Sequence, residues 1–127
     1  MQKIRSINAN DFRQIEEIHK QFYADQFTLP DFIKNYICAF VIEDEGEILV
    51  AGGVRAIAES VIMTNKNTDI KGRREALYNM LTAVAHVTKL AEYDQVHAFI
   101  QDDKWKHHLI NVGFRPTKGQ ALYLDLK

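Results

Sequence analysis

Cysteine is almost missing from this chain: Cys38 is the only one in 127 residues. A lone thiol excludes a disulfide framework and a thiolate metal cluster. It lies in Ile37-Cys38-Ala39-Phe40-Val41-Ile42, where it reads as a small hydrophobe packed in a strand. Long apolar runs are missing too, since none approaches the roughly 20 residues that span a bilayer as a helix. The opening Met1-Gln2-Lys3-Ile4-Arg5-Ser6 lacks the apolar core of a signal peptide. Together these absences predict a cytoplasmic protein with no membrane partner. Nor is there an excess of one charge: the formal net charge is −1, which argues against a general polyanion binder and leaves only a local basic patch. No linker, repeat or low-complexity segment divides the sequence. It reads as a single domain over residues 1–127, large enough for a two-layer core and too small for two.

What is present is a succession of short periodic segments. Residues 3–7 read as a strand. Asn8 and Asn10 are both N-cap candidates for a helix whose apolar face is Phe12, Ile15, Ile18 and Phe22. Pro30 suits the first turn of a second, short helix reaching Tyr36. Two apolar runs, 39–43 and 47–55, flank Asp44-Glu45-Gly46 as an antiparallel hairpin. Gly52-Gly53 within it marks a bulge, a bend or a close backbone approach. Residues 59–64 read as a further strand, and a polar connection leads into the longest helical pattern, 73–91. One polar stripe, Glu75, Asn79, Thr82, His86 and Lys89, runs along that helix, so most of its circumference is expected to be buried.

The last third contains an apolar strand, Val96-His97-Ala98-Phe99-Ile100, then a helix opened by Asp102-Asp103 with Trp105, Leu109 and Val112 on one face. Gly113-Phe114-Arg115-Pro116 ends it, and a strand pair is expected around Lys118-Gly119. The predicted order is β-α-α-β-β-β-α-β-α-β-β: an α/β (α+β) fold with a mixed, mostly antiparallel sheet and helices on both faces.

The strand, helix and Gly-Phe of the last third resemble the closing unit of the GNAT superfamily of N-acetyltransferases. Ile4-Arg5-Ser6 followed by Asp11-Phe12 and Ile15 resembles the family's opening strand and helix. The likeness in element order covers the whole chain. It implies acetyl-CoA as co-substrate, bound by its pyrophosphate at the N-terminus of the long helix, where unpaired N–H groups and the helix dipole attract anions. Aligned on Leu77, the family's Gln/Arg-x-x-Gly-x-Gly/Ala becomes Asp69-Ile70-Lys71-Gly72-Arg73-Arg74, which keeps only the first glycine. The cofactor-binding candidates are therefore Lys71, Gly72, Arg73 and Arg74, with basic side chains supplying charge where the glycine nest is weakened. Asp69 would repel a phosphate unless it caps the helix. Ile62, Met63 and Thr64 would offer their backbone to the pantetheine arm.

The chemistry implied is direct attack of a neutral amine on the thioester. Glu59 is the best-placed general base, with a solvent-facing strand glutamate as its plain alternative. The family's usual tyrosine acid is replaced by Leu109, four residues before Gly113. Adjacent His107 and His108 are the substitute proton donors, and Tyr123 a weaker one. Trp105 is expected to pack on the sheet. His97 is read as a satisfied core or cleft histidine, and the five histidines show no metal-ligand spacing.

Three functions follow from these residues. The first is N-acetyl transfer from acetyl-CoA to a primary amine, a small molecule or a peptide, approaching by residues 25–36 and the 44–47 turn. The second is a catalytically impaired CoA-binding or protein-interaction module, motivated by Asp69, Arg74 and Leu109. A nucleic-acid contact through residues 66–74 is disfavoured by the near-neutral charge and the lack of interleaved aromatics. Leu122, Leu124 and Leu126 alternate and either face the core or pair two copies as a homodimer.

Overall fold

The computed structural model describes residues 1–126. Its elements are β1 (Gln2–Ser6), a 3-10 turn (Ala9–Asp11), α1 (Phe12–Phe22), β2 (Tyr36–Asp44), β3 (Glu47–Arg55), β4 (Ala58–Glu59), α2 (Ile70–Leu90), β5 (Val96–His97) and α3 (Asp103–Asn111). This is a mixed α+β architecture. β1, β2 and β3 form an antiparallel sheet in that order, and β4 pairs in parallel with β5 as a separate two-stranded unit.

The first strand, the first helix and the hairpin are built as the sequence predicts. Asn8 is the cap: its side chain accepts from the Asn10 N–H at 2.9 Å, while Asp11 accepts from the Asn8 N–H at 2.8 Å. α1 then lays Ile15 on the hairpin against Val41 and Ile48, with Ile7, Ile18, Leu29, Phe32 and Ala51 around them. The hairpin turns through Glu45 and Gly46, both at positive φ (50° and 85°), as a two-residue type I′ loop demands. Gln14 ties that turn to α1, donating to the Gly46 carbonyl at 3.1 Å and accepting from the Ile48 N–H at 3.0 Å. The ladder is irregular at Ile37 and Leu49, not at the glycine pair. Gly53 is instead a close approach to the backbone of β2.

Three expectations fail. The helix from Pro30 to Tyr36 does not form. Asp31 accepts from the N–H groups of both Ile33 and Lys34 (2.8 and 3.2 Å), and Phe32 and Asn35 adopt positive φ. A side chain that captures its own downstream amides offers the backbone an alternative to the helix. These two hydrogen bonds also hold the Asp31 carboxyl below the ordinary aspartate range. The expected strands 59–64 and 96–100 shrink to two residue pairs, Ala58↔Val96 and Glu59↔His97, extended by the Ser60 N–H to the His97 carbonyl at 2.8 Å. The terminal strand pair is also missing among the described residues. Gly119 turns at φ 80°, but Leu122, Leu124 and Leu126 stay exposed; β5 stops at His97 and offers a free edge only two residues long.

α2 also packs differently. Only a narrow stripe, Leu77, Leu81, Val84 and Thr88, is turned inward, and Tyr78, Met80, Val87 and Leu90 are exposed. The accessible surface of 11132 Å² exceeds the about 6,900 Å² of a compact monomer of this mass. With so short a parallel sheet, the apolar circumference of α2 has little to lie against. Among the described residues no helix is long and apolar enough to cross a membrane.

Candidate functional site

β4, α2 and β5 make a β-α-β unit, so the carboxyl ends of two parallel strands point the same way and part after one further hydrogen bond. Ligands of α/β sheets characteristically bind beyond such carboxyl ends. Glu59 stands at this point, exposed, in register with His97. Beyond it Ile62 is partly buried, while Met63 (91 % exposed) and Thr64 face outward; neither Met63 nor the exposed Arg74 fills the space between the strands.

The start of α2 is already supplied with an anion. Asp69 is the N-cap, its Oδ2 accepting from the Gly72 N–H at 3.0 Å. The loop before it is pre-folded: Asn65 accepts from Asn67 and Thr68, and Arg73 Nη1 donates to the carbonyls of Thr68 (2.7 Å) and Lys66 (3.3 Å). Arg73 therefore orders the loop. Lys71 and Arg74 are exposed and, among the described residues, have no ion-pair partner. Gly72 is not forced by crowding, since a Cβ there would meet only Asp69 Oδ2 at an ordinary 3.5 Å.

α3 is capped by Asp102, which accepts from the Trp105 N–H at 2.7 Å. His107 Nδ1 lies 2.7 Å from the Asp103 carbonyl oxygen, and His108 stacks on Trp105 with centroids 5.6 Å apart. Trp105 thus packs on its own helix. Leu109, at 3 % exposure, is a core residue of this half. Neither His107 nor His108 lines either of the two cavities beside the parallel strands.

Two cavities flank the parallel strands. The larger, about 1090 Å³, lies between the C-terminal half of α2, β5, α3 and residues 112–117. The smaller, about 520 Å³ and open to solvent, is lined by residues 27–31, 34–36 and 55–58 with 93–95 and His97. Thus part of the 25–36 segment does border a cavity, whereas the 44–47 turn is held at α1. None of Glu59, Ile62, Met63, Thr64, Lys71, Gly72, Arg73, Arg74, His107 and His108 lines either cavity. His97 lines both, and its Nδ1 is buried with no hydrogen-bond partner among the described residues. Its strand position was legible in the sequence; its missing partner was not. Among the described residues no cluster of His, Cys, Asp and Glu would hold a metal ion. No family model, curated protein or solved structure matches the chain.

Proposed function

We propose that this chain is a GNAT-like N-acetyltransferase that moves the acetyl group of acetyl-CoA to a primary amine. The observation that carries the reading is the parallel β4–β5 pair, joined through α2 and unpaired beyond Ser60. Such a pair lets an extended pantetheine arm hydrogen-bond to backbone freed by the parting strands, and puts the helix N-terminus on the same side for the pyrophosphate. Lys71 and Arg74 would supply the positive charge there. In the transfer, the amine nitrogen bonds to the thioester carbonyl carbon and the C–S bond breaks. Glu59 takes the amine proton, and the departing thiolate of CoA is protonated from solvent or a histidine.

One observation favours the second reading, a CoA-binding or protein-interaction module impaired in catalysis. The Asp69 carboxylate occupies the anion position at α2, and His107 and His108 are engaged within α3. Acetyl transfer to a panel of primary amines separates the two. The transferase reading expects measurable turnover that Glu59→Gln lowers about 100-fold, with acetyl-CoA affinity unchanged. Binding without turnover by the unaltered protein would sink it and leave the module.

A further inference from the structure

α2 carries three stripes along its 21 residues. Leu77, Leu81, Val84 and Thr88 turn inward, and Glu75, Asn79, Thr82, His86 and Lys89 form an exposed polar stripe. Between the two runs a third, Ala76, Met80, Ala83, Val87 and Leu90. Every member is exposed, Met80 by 50 %, Val87 by 63 % and Leu90 by 70 %. Its spacing of four, three, four and three residues is that of a coiled-coil seam. Such a seam suits a second helix, whose surface holes each receive one apolar knob. The chain also has surface to cover: it exposes about 4,200 Å² more than a compact monomer, against the about 800 Å² per partner that a standard interface removes.

We infer that the helix received is α2 of a second copy, paired antiparallel about a two-fold axis beside Leu81 and Thr82. Both outer stripes are self-complementary about that one axis. Along the polar stripe it sets Glu75 opposite the partner's Lys89, Asn79 opposite the partner's His86, and Thr82 beside the partner's Thr82. Along the seam it sets Met80 opposite the partner's Ala83 and Val87 opposite the partner's Ala76, so each large side chain meets a small one. A parallel pair would instead bring Glu75 to Glu75 and Lys89 to Lys89. Neither of these charges has an ion-pair partner within the chain among the described residues. The antiparallel arrangement also opposes the two helix dipoles, and it is isologous, so it closes at a dimer. This interface goes beyond the proposed acetyl transfer: it needs neither coenzyme A nor an amine, and it leaves the C-terminal leucines outside.

The test is sedimentation of the full chain from about 1 to about 500 µM, with cysteine cross-linking to read the register. The chain is expected to pass from monomer to dimer over this range. Met80→Glu should weaken the dimer at least about 30-fold by placing an unpaired charge in the seam. At about 1 µM, where both are monomers, it should keep the unaltered unfolding midpoint, since Met80 is exposed there. On a Cys38→Ala background, Ala76→Cys together with Val87→Cys should oxidise to a covalent dimer. Ala76→Cys alone should not, because the antiparallel register holds the two copies of position 76 about 16 Å apart along the axis, too far for a disulfide. Positions 76 and 87 of one chain are equally far apart, so the bond can form only between copies. A chain that stays monomeric throughout, a Met80→Glu dimer as tight as the original, failure of the paired cysteines to cross-link, or cross-linking by Ala76→Cys alone overturns the interface. Because no readout involves coenzyme A, its failure is distinct from failure of the transferase reading.

Discussion

Replacing Gly53 by alanine should lower the unfolding free energy by about 3 kcal/mol, whereas Gly52→Ala should change it by no more than about 0.5 kcal/mol. The two glycines are neighbours in β3 and opposite in consequence. Gly53 faces Ala39 across the ladder, and a Cβ on it would fall inside the contact distance of the Cys38 carbonyl oxygen. It would also stand 3.0 Å from Ala39 Cα and 3.2 Å from the Cys38 carbonyl carbon. These are backbone atoms, so no rotamer change relieves the overlap and the β2–β3 ladder itself must shift. That ladder carries Val41 and Ile48, two members of the buried cluster. A Cβ on Gly52 meets nothing within 4 Å. Its removal of unfolded-state freedom offsets any local adjustment. Urea unfolding of both variants checks the contrast, and equal midpoints would contradict the close approach.

Asp11→Ala should cost about 2–3 kcal/mol, the second large effect. The carboxylate is buried and receives three donors: Arg5 Nη1 and Nη2 at 2.8 and 2.7 Å, and the Asn8 N–H at 2.8 Å. Removing it uncaps the entry to α1 and leaves the guanidinium with only Glu43, at 3.1 Å, among carboxylates. The Arg5 hydrogen bonds, helped by the Asn8 N–H and opposed by burial, hold the Asp11 carboxyl below its ordinary range. Hydrogen bonding to Asp11 and then Glu43 raises the Arg5 guanidinium correspondingly. A carboxylate whose folded pKa is depressed adds stability that is complete above about pH 4, the unfolded value, and is lost as pH falls through the folded one. Wild-type stability should therefore decline more steeply than that of Asp11→Ala below about pH 4. Parallel acid titrations would contradict this role.

The parts of the fold that the sequence revealed are those whose signals are local. Asn8, the Ile15–Ile18 face, Glu45-Gly46 and the Asp102 cap each place an element end through neighbouring residues, and each element forms there. The failures came where a side chain or an edge decides. Pro30 is compatible with a helix, but Asp31 takes the amides the helix would use. The 59–64 and 96–100 runs have strand character without a partner beyond His97, and periodicity does not reveal whether an edge is available. The broad apolar surface of α2 was legible; how much of it finds a partner depends on sheet width, which no local pattern encodes.

The site was legible to a lesser degree. Asp69 was expected to repel a phosphate unless it caps the helix; it is the cap, and the helix begins at Ile70, three residues before the expected 73. That Arg73 would face its own loop, and that His107 and His108 would lie away from both cavities, depends on rotamers and on the turn of α3. His97 was placed on its strand, yet its orphaned nitrogen emerges only when every neighbouring donor and acceptor has been positioned.

The measurement that bears most directly on the proposed function is calorimetric titration of the full chain with acetyl-CoA. Free CoA serves as control, and a Lys71→Glu, Arg74→Glu variant reverses two exposed charges at the start of α2 while sparing the Arg73 and Asp69 contacts that order the loop. The account predicts saturable binding in the micromolar range by the unaltered protein, weakened about 100-fold or more in the variant. No binding at millimolar acetyl-CoA, or equal binding by both proteins, would contradict it.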